Sequence, residues 1–264
     1  MNFRQLHQGP DLLKIANVWD GGSAVLVQSL GVPALATTSA GLAWALGYPD
    51  GNHLPIAEHA DAIRRIARVA RVPLSADSEA GYSDDPATVA DNIMRLVEAG
   101  AVGINLEDGS GEPALLCRKI EAIKTATARA GVDLFINARC DVYLKRLAPG
   151  REAEEVLARA RDYAAAGADG LFAAGATSVA DIQALVGGQP LPLNVMARAG
   201  MPSPAELQSL GVRRLSAGSA ISEAAWGRAK RAAAGFLAQG AGDELFDGAA
   251  PYPEINGALA QAQG

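Results

Sequence analysis

The sequence has few of the features that mark secreted, membrane-embedded or nucleic-acid-binding proteins. Its only cysteines are Cys117 and Cys140, too few for a disulfide framework. No apolar run approaches the roughly 18 uninterrupted residues of a membrane span, and residues 1–6 lack the apolar core of a signal peptide. Basic residues are outnumbered 29 to 23 by acidic ones, giving a net charge of -6, which argues against phosphate backbones or anionic lipid as partners. We therefore expect a cytoplasmic protein that binds neither nucleic acid nor membranes.

The chain is instead rich in apolar residues arranged in a repeating pattern. Apolar side chains make up 49% of 264 residues, enough for one large domain or two small ones with a sizeable core. Short apolar runs alternate with amphipathic stretches, and glycines such as Gly100 and Gly211 stand where helices would end. Each run predicts a buried parallel strand. The eight runs are residues 15–19, 34–38, 73–76, 102–106, 134–138, 170–173, 191–195 and 213–216.

Eight strands that alternate with helices predict a (β/α)8 TIM barrel. An open doubly wound sheet is the alternative, but no G-x-G-x-x-G follows the first strand, where Asn17 to Gly22 stand instead. We expect the barrel to occupy residues 1–234. Residues 235–264 are predicted to form a C-terminal helical extension whose apolar side chains contact another subunit, or nearly as plausibly clasp their own barrel.

Acidic residues cluster where the strands end, which is where barrel active sites are built. Asp77, Glu79 and Glu107 follow adjacent strands, and Asp50 stands in the loop after the second strand. Converging carboxylates repel one another unless a cation is present. An oxygen-only set predicts Mg²⁺, with Mn²⁺ as a second choice. Helix capping or solvation is the more economical interpretation for four other acids, namely Asp20, Asp84, Asp85 and Asp108.

Two further features suggest an anionic substrate. Arg139 ends the fifth strand, where a guanidinium would be costly unless it faced the open mouth or met an anion. After the second strand, small residues offer backbone N–H groups at a helix entrance, although an ordinary N-cap explains them equally well. These residues are Thr38, Ser39, Ala40 and Gly41.

Several of these segments occur together in a specific order. They are residues 38–41, 47–51, 76–82, 103–108, 136–139 and 192–197. In this order and spacing the sequence resembles the isocitrate lyase and phosphoenolpyruvate mutase superfamily, from about residue 17 to residue 232. The resemblance implies a magnesium-dependent barrel whose 2-oxo or 2-hydroxy acid substrates react through a pyruvate-type enolate. It also implies a homo-oligomer, a dimer or tetramer.

The resemblance also implies roles for individual residues. Asp77 would bind the metal directly, while Asp50, Glu79 and Glu107 would hold its waters. Arg139 would stabilise developing charge or a second carboxylate. The implied substrate-binding residues are Thr38, Ser39, Ala40, Gly41 and Asn194.

The sequence departs from the superfamily pattern at places that matter for the reaction. The Lys-Lys-Cys-Gly-His loop of the lyases is replaced by the shorter, thiol-free segment 109–114. The sixth predicted strand is followed by no glutamate of the kind that isocitrate and methylisocitrate lyases place there, since Ala173 and Ala174 stand at that point. Cys117 could substitute for the missing acid, but its position on an apolar helix face favours a structural thiol. The loop that holds the phosphoryl group in the phosphomutases is missing as well.

These departures favour a lyase that needs no thiol. Decarboxylation of a 2-oxo di-acid such as oxaloacetate requires only a polarised ketone and a stabilised enolate. Retro-aldol cleavage of a 2-hydroxy acid, as in a methylisocitrate lyase, also needs a base, for which Tyr48, Glu79 and Glu107 are available. Two alternatives stay open: phosphonate chemistry, as in phosphoenolpyruvate mutase or phosphonopyruvate hydrolase, and a 2-oxo acid binding protein without turnover. A Schiff-base aldolase is set aside because no lysine is predicted to face the barrel interior.

Overall fold

The computed structural model describes residues 2–240 and 242–263 and shows parallel strands that alternate with helices. The strands are β1 (Leu13–Ile15), β2 (Asn17–Val18), β3 (Leu35–Thr37), β4 (Leu74–Asp77), β5 (Gly103–Glu107), β6 (Phe135–Cys140), β7 (Gly170–Ala173), β8 (Leu193–Met196) and β9 (Arg214–Ser216). The helices are α1 (Gly21–Ser29), α2 (Ser39–Ala45), α3 (Ile56–Val69), α4 (Pro86–Glu98), α5 (Pro113–Ala130), α6 (Val142–Lys145), α7 (Glu152–Ala165), α8 (Val179–Gly187), α9 (Pro204–Ser209), α10 (Ala220–Gln239) and α11 (Tyr252–Gln263).

The strands form a nearly closed barrel, as the alternating pattern predicts. Neighbouring strands pair in parallel in the order β1-β9-β8-β7-β6-β5-β4-β3-β2. The predicted first strand differs from the observed one, because it begins earlier and is interrupted at Ala16. Its first part pairs with β9 and its second with β3. One tilted strand thus turns from one neighbour to the other and closes the ring.

The helices cover the barrel through the apolar faces that the sequence predicts. Ile63 and Ile66 of α3 and Ile93 and Leu96 of α4 are completely buried in the core. All five glycines predicted as helix ends (Gly31, Gly100, Gly131, Gly167 and Gly211) have positive φ, the conformation that glycine adopts without cost. None of the helices in the described part of the chain is long and apolar enough to cross a membrane.

The two ends of the chain pack against the barrel in different ways. At the amino-terminal end of the strands, Phe3 and His7 pack against Phe135 and cover the bottom of the barrel. At the other end of the chain, α11 lies against α1 and α3 of its own barrel, where Ala262 is buried. The sequence left two arrangements open for the C-terminal segment, contact with another subunit and packing against its own barrel. The second is the arrangement seen for α11 in this chain.

Candidate active site

A cavity of about 560 Å³ opens at the carboxyl ends of the strands. It is the place where a barrel of this kind carries its active site. Six of the residues singled out from the sequence line it: Thr38, Ser39, Ala40, Asp50, Asp77 and Arg139. Asn105, Phe172, Met196 and Ser216 add to the lining from other strands. The structure thus brings two of the four predicted acids, the arginine and the helix entrance to one cavity.

The carboxylate of Asp77 is held firmly at the floor of this cavity. Asp77 ends β4 and is 8% exposed. Its Oδ2 accepts a hydrogen bond from the Ser39 backbone N–H at 3.1 Å, and its Oδ1 accepts one from Asn105 Nδ2 at 3.5 Å. The backbone N–H of Asp77 donates a hydrogen bond to the Thr37 hydroxyl at 2.9 Å. A carboxylate fixed in this way keeps its remaining lone pairs available to the cavity.

Arg139 lies on β6, two strands from Asp77, and is fixed by two acids. Its Nη1 lies 2.8 Å from Glu107 Oε2. Its Nε and Nη2 donate to the two carboxylate oxygens of Asp141 at 2.7 and 3.1 Å. Burial opposes the charge on Arg139, but Glu107 and Asp141 outweigh it and raise its pKa. Arg139 is therefore a permanent, preorganised cation that faces the cavity, as anion recognition requires.

Glu79 and Glu107 lie close behind the cavity floor and resist ionisation. Burial is the main cause that raises the pKa of each to about 7, and neighbouring acids, Asp77 among them, add to it. Arg139 lowers the pKa of Glu107 without overcoming burial. The Glu79 backbone has a positive φ of 49°, and its Oε2 accepts a hydrogen bond from the backbone N–H of Asn52. Such strain in a non-glycine residue is typical of functional sites.

Besides Glu79 and Glu107, three residues predicted to bind substrate or act as a base do not line the cavity. The Tyr48 hydroxyl donates to Glu58 Oε1 at 2.7 Å, on the exposed side of α3. Asn194 is buried beside the floor and donates to Ser216 Oγ at 3.4 Å. Gly41 lies in the first turn of α2, where an added Cβ would stand 2.9 Å from Ser222 Oγ of α10. Gly41 thus lets α2 pack closely against α10 and does not line the cavity.

The acids that the sequence assigned to capping or solvent have mixed outcomes. Asp20 caps α1 and Asp85 caps α4 through their carboxylates, and the side chain of Asp84 is exposed. The assignment is wrong for Asp108, which is buried and paired with Arg159 at 2.8 Å. Its carboxylate also accepts from the Tyr163 hydroxyl and the Asp141 backbone N–H. Asp108 therefore supports the segment that carries Asp141, the partner of Arg139.

The two thiols lie away from the reacting groups. Cys140 follows Arg139 along β6. Because successive residues of a strand face opposite sides, its thiol is buried in the core while Arg139 lines the cavity. Cys117 is partly buried on α5 against the same core. Burial raises the pKa of both thiols, so neither resembles a reactive thiolate.

Sequence reasoning missed a polar layer inside the barrel. Asn105 Oδ1 accepts from Asn137 Nδ2 at 2.9 Å and from Arg214 Nη2 at 3.4 Å. Asn17 donates to the Thr37 carbonyl and accepts from the Gly218 N–H, which ties the closing strand to its neighbours. Burial lowers the pKa of Arg214 to about 10. The available signal was the polar residue inside four of the apolar runs, namely Asn17, Asn105, Asn137 and Arg214.

The donor set fits a hydrated magnesium ion. Within residues 2–240 and 242–263, no three His, Cys, Asp or Glu side chains meet closely enough to form a complete set of protein ligands. Asp77 and Asp50 nevertheless offer carboxylate oxygens to the cavity, and Glu79 and Glu107 stand behind them. Magnesium commonly takes one or two carboxylates and keeps several waters. The residues therefore suit an ion held directly by Asp77 and otherwise through water.

Comparison with known proteins identifies the family. The model of the phosphoenolpyruvate phosphomutase family matches residues 3–237. The chain belongs to this family. It is 35% identical over 223 residues to a Mycobacterium tuberculosis H37Rv protein of unassigned function, covering 83% of this chain and 82% of that one. It is 31% identical over 222 residues to oxaloacetate decarboxylase 1 of Pseudomonas fluorescens Pf0-1, covering 80% and 75%.

A solved structure extends the likeness over nearly the whole chain. A Burkholderia cenocepacia J2315 protein, provisionally assigned as a lyase or mutase, superposes with a TM-score of 0.88 at 36% identity. The match covers 98% of this chain and 94% of that one. These findings confirm the superfamily that the motifs indicated and identify the chain as an enzyme of the lyase and mutase type.

Proposed function

We propose that this enzyme is a magnesium-dependent carbon–carbon lyase that acts on a small 2-oxo or 2-hydroxy di-acid, with decarboxylation of an oxaloacetate-type substrate as the preferred reaction. The observation that carries this proposal is the placement of Asp77 and Arg139 on one cavity, each held by hydrogen bonds. The relationship to an oxaloacetate decarboxylase supports the same reaction class. Decarboxylation also requires no thiol, and both thiols lie outside the cavity lining.

The chain's own residues supply binding and charge stabilisation. Arg139 would pair with a substrate carboxylate or with negative charge that develops on the reacting acid. The side chains of Thr38 and Ser39 and the adjacent Ala40 would hold the carboxylate next to the 2-oxo group, with Gly41 allowing α2 to come close. Ser216, buttressed by Asn194, would contact a distal oxygen. These roles follow from the lining and its hydrogen bonds.

A bound Mg²⁺, or Mn²⁺, would polarise the 2-oxo group and so stabilise the enolate. Asp77 would hold the ion directly, and Asp50, Glu79 and Glu107 would orient its waters. For retro-aldol cleavage, Glu107 is the preferred base because it contacts Arg139 of the cavity lining, whereas the hydroxyl of Tyr48 is held by Glu58 on the exposed side of α3. Glu107 has a pKa of about 7 and contacts Arg139. A carboxylate of that pKa exchanges protons readily near neutral pH.

The proposal is tested by incubating the protein and Mg²⁺ with oxaloacetate, 2-methylisocitrate, dimethylmalate and phosphonopyruvate, and following 2-oxo acid products by NMR. Oxaloacetate also loses CO₂ without enzyme, so Asp77→Ala protein with the same Mg²⁺ is the matched control. Pyruvate formed faster than in that control, and suppressed by EDTA, supports the lyase. Turnover of phosphonopyruvate alone would identify phosphonate chemistry. Binding of 2-oxo acids without product would favour a protein that only binds them.

We also propose that the enzyme forms a cytoplasmic homo-oligomer. Trp226, Phe236 and Leu237 of α10 are 48%, 48% and 82% exposed. Apolar side chains exposed along one helix are typical of a subunit contact. Light scattering coupled to size-exclusion chromatography measures the mass directly, and a particle of about one chain's mass at micromolar concentration would contradict this part of the proposal.

A further inference from the structure

The active-site cavity has two walls of different chemistry. One wall, from β3, β4 and their loops, carries Ser39, Asp50 and Asp77. The other carries Leu144, which follows β6, together with Phe172 of β7 and Met196 of β8. In the ring of strands β7 and β8 lie across the barrel from β3 and β4. We call Leu144, Phe172 and Met196 the apolar wall, and it faces the carboxylates across the cavity.

Close packing fixes the apolar wall in place. A Cβ on Gly218 would stand 2.6 Å from Met196 Sδ, and a Cβ on Gly175 would stand 3.1 Å from the backbone nitrogen of Leu144. Phe172 is 4% exposed, and its ring centre is 5.9 Å from the Arg139 guanidinium carbon. Gly218 and Gly175 therefore leave space that Met196 and Leu144 fill. The wall is a rigid surface rather than a set of loosely exposed side chains.

Size and charge limit what the apolar wall can receive. The cavity of about 560 Å³ lies within the range of about 300–1,000 Å³ that accommodates drug-sized ligands, so a bare oxaloacetate leaves space. In the proposed function Arg139 pairs with a carboxylate of the substrate, so it is already occupied when a substituent reaches the wall. The other charged lining residues beside this wall, Arg198 and Glu223, are exposed. An apolar substituent would gain from contact with the wall, whereas a buried charge there would lose hydration.

We propose that the substrate carries an aliphatic substituent of one to three carbons at C3, seated on the apolar wall, so that the preferred substrates are 3-alkyl oxaloacetates. This inference rests on the proposed function, because the acid head must bind between Asp77 and Arg139 to place C3 at the wall. In the reaction the C3–C4 bond breaks and its electron pair stays on C3, delocalised onto the 2-oxo oxygen. CO₂ leaves, and a proton from solvent adds to C3 to give a longer 2-oxo acid.

The products of these reactions provide a binding test that needs no turnover. Pyruvate, 2-oxobutanoate, 2-oxopentanoate and 2-oxohexanoate carry zero to three carbons on C3. Their dissociation constants are measured by calorimetry with Mg²⁺ present. Each fully buried methylene strengthens binding by about fourfold, so we expect at least a tenfold gain from pyruvate to 2-oxopentanoate. 2-Oxoglutarate, which has the same chain length but ends in a carboxylate, should bind more weakly than 2-oxopentanoate.

A matched pair of variants assigns the gain to the apolar wall. Leu144 and Leu147 are 38% and 37% exposed, but only Leu144 lines the cavity. Leu144→Gln should flatten the chain-length series while pyruvate binding changes little, and Leu147→Gln should leave the series as in the wild type. Both replacements are at partly exposed positions, where folding tolerates a polar side chain. An equal effect of the two variants would overturn the assignment.

The outcomes separate this inference from the proposed function. If the dissociation constants do not change with chain length while pyruvate still binds, the apolar substituent is ruled out and the proposed function is not. Tighter binding of 2-oxoglutarate than of 2-oxopentanoate also rules out the apolar substituent, in favour of an acidic substituent that reaches Arg198. If no 2-oxo acid binds, the proposed head site is wrong and the inference is overturned with it. A rising series without oxaloacetate turnover supports the wall and contradicts only the lyase activity.

Discussion

Replacing Glu107 by glutamine should change how the stability of the metal-free protein responds to pH. Burial raises the pKa of Glu107 to about 7, against 4.5 for an ordinary glutamate. In the folded protein this group therefore holds a proton at pH values where the unfolded chain has lost it. The stability that Glu107 contributes is then fully present below about pH 4.5 and is lost as the pH rises through 7. A glutamine of similar size cannot titrate, so that contribution disappears.

The size of the effect follows from the same pKa difference. Each tenfold change in proton affinity corresponds to about 1.4 kcal/mol. Between pH 5 and pH 8, most of the interval between the two pKa values is crossed, which gives about 2–3 kcal/mol for Glu107 alone. Glu79 contributes in the same direction, since its pKa is also raised to about 7. His7 and His59 contribute in the opposite direction, because burial lowers their pKa values to about 3 and 4.

Because several groups contribute, the informative quantity is the difference between wild type and variant. The free energy of unfolding is measured by urea titration in EDTA at pH 5 and pH 8 for the wild type, Glu107→Gln and Glu112→Gln. Glu112 is exposed in the loop after β5 and serves as the matched control. The loss of stability from pH 5 to pH 8 should shrink by about 2–3 kcal/mol in Glu107→Gln only. An equal loss in all three proteins would refute the argument that burial controls Glu107.

Three further substitutions test the site. Asp77→Ala should abolish the rise in melting temperature that Mg²⁺ produces, with the fold retained by circular dichroism; an unchanged rise would remove Asp77 from the metal site. Arg139→Lys should weaken 2-oxo acid binding by more than tenfold with the fold retained by circular dichroism, because an ammonium cannot replace a bidentate guanidinium, and it should also lower stability because part of the contacts to Glu107 and Asp141 is lost; unaltered affinity would make Arg139 structural. Cys117→Ser should leave turnover of oxaloacetate within about twofold, since the thiol lies outside the cavity, and an inactive variant would identify it as the missing acid.

The fold was predictable from the sequence because its signals are local. Each buried strand is a short apolar run, and the glycines that the sequence marks as helix ends all have positive φ. The interruption at Ala16 was not predictable, because it depends on how the ring closes. The first strand must pair with β9 on one side and β3 on the other, and a single sequence carries no record of that geometry.

The site was predictable only as far as strand ends determine it. Asp77 ends β4, Arg139 is the last residue but one of β6, and both line the cavity. Tyr48 stands in a loop, where a hydrogen bond to Glu58 decides its direction. Asp108 was assigned wrongly because its partners Arg159 and Tyr163 lie on α7, far along the chain. Contacts between distant elements are what local patterns leave out.

The covered bottom of the barrel has a consequence for the order of events in a catalytic cycle. His7 stacks on Phe135 there, Phe3 meets the same ring edge-on, and Gly103 lacks a side chain where the ring of Phe3 lies. In the proposed reaction, substrate, water, CO₂ and the 2-oxo acid would then all pass through the same opening. The small gas can leave past a bound acid, whereas a new substrate cannot bind until the acid has left. The 2-oxo acid would therefore be the last product to dissociate, and its dissociation would slow as its alkyl chain lengthens.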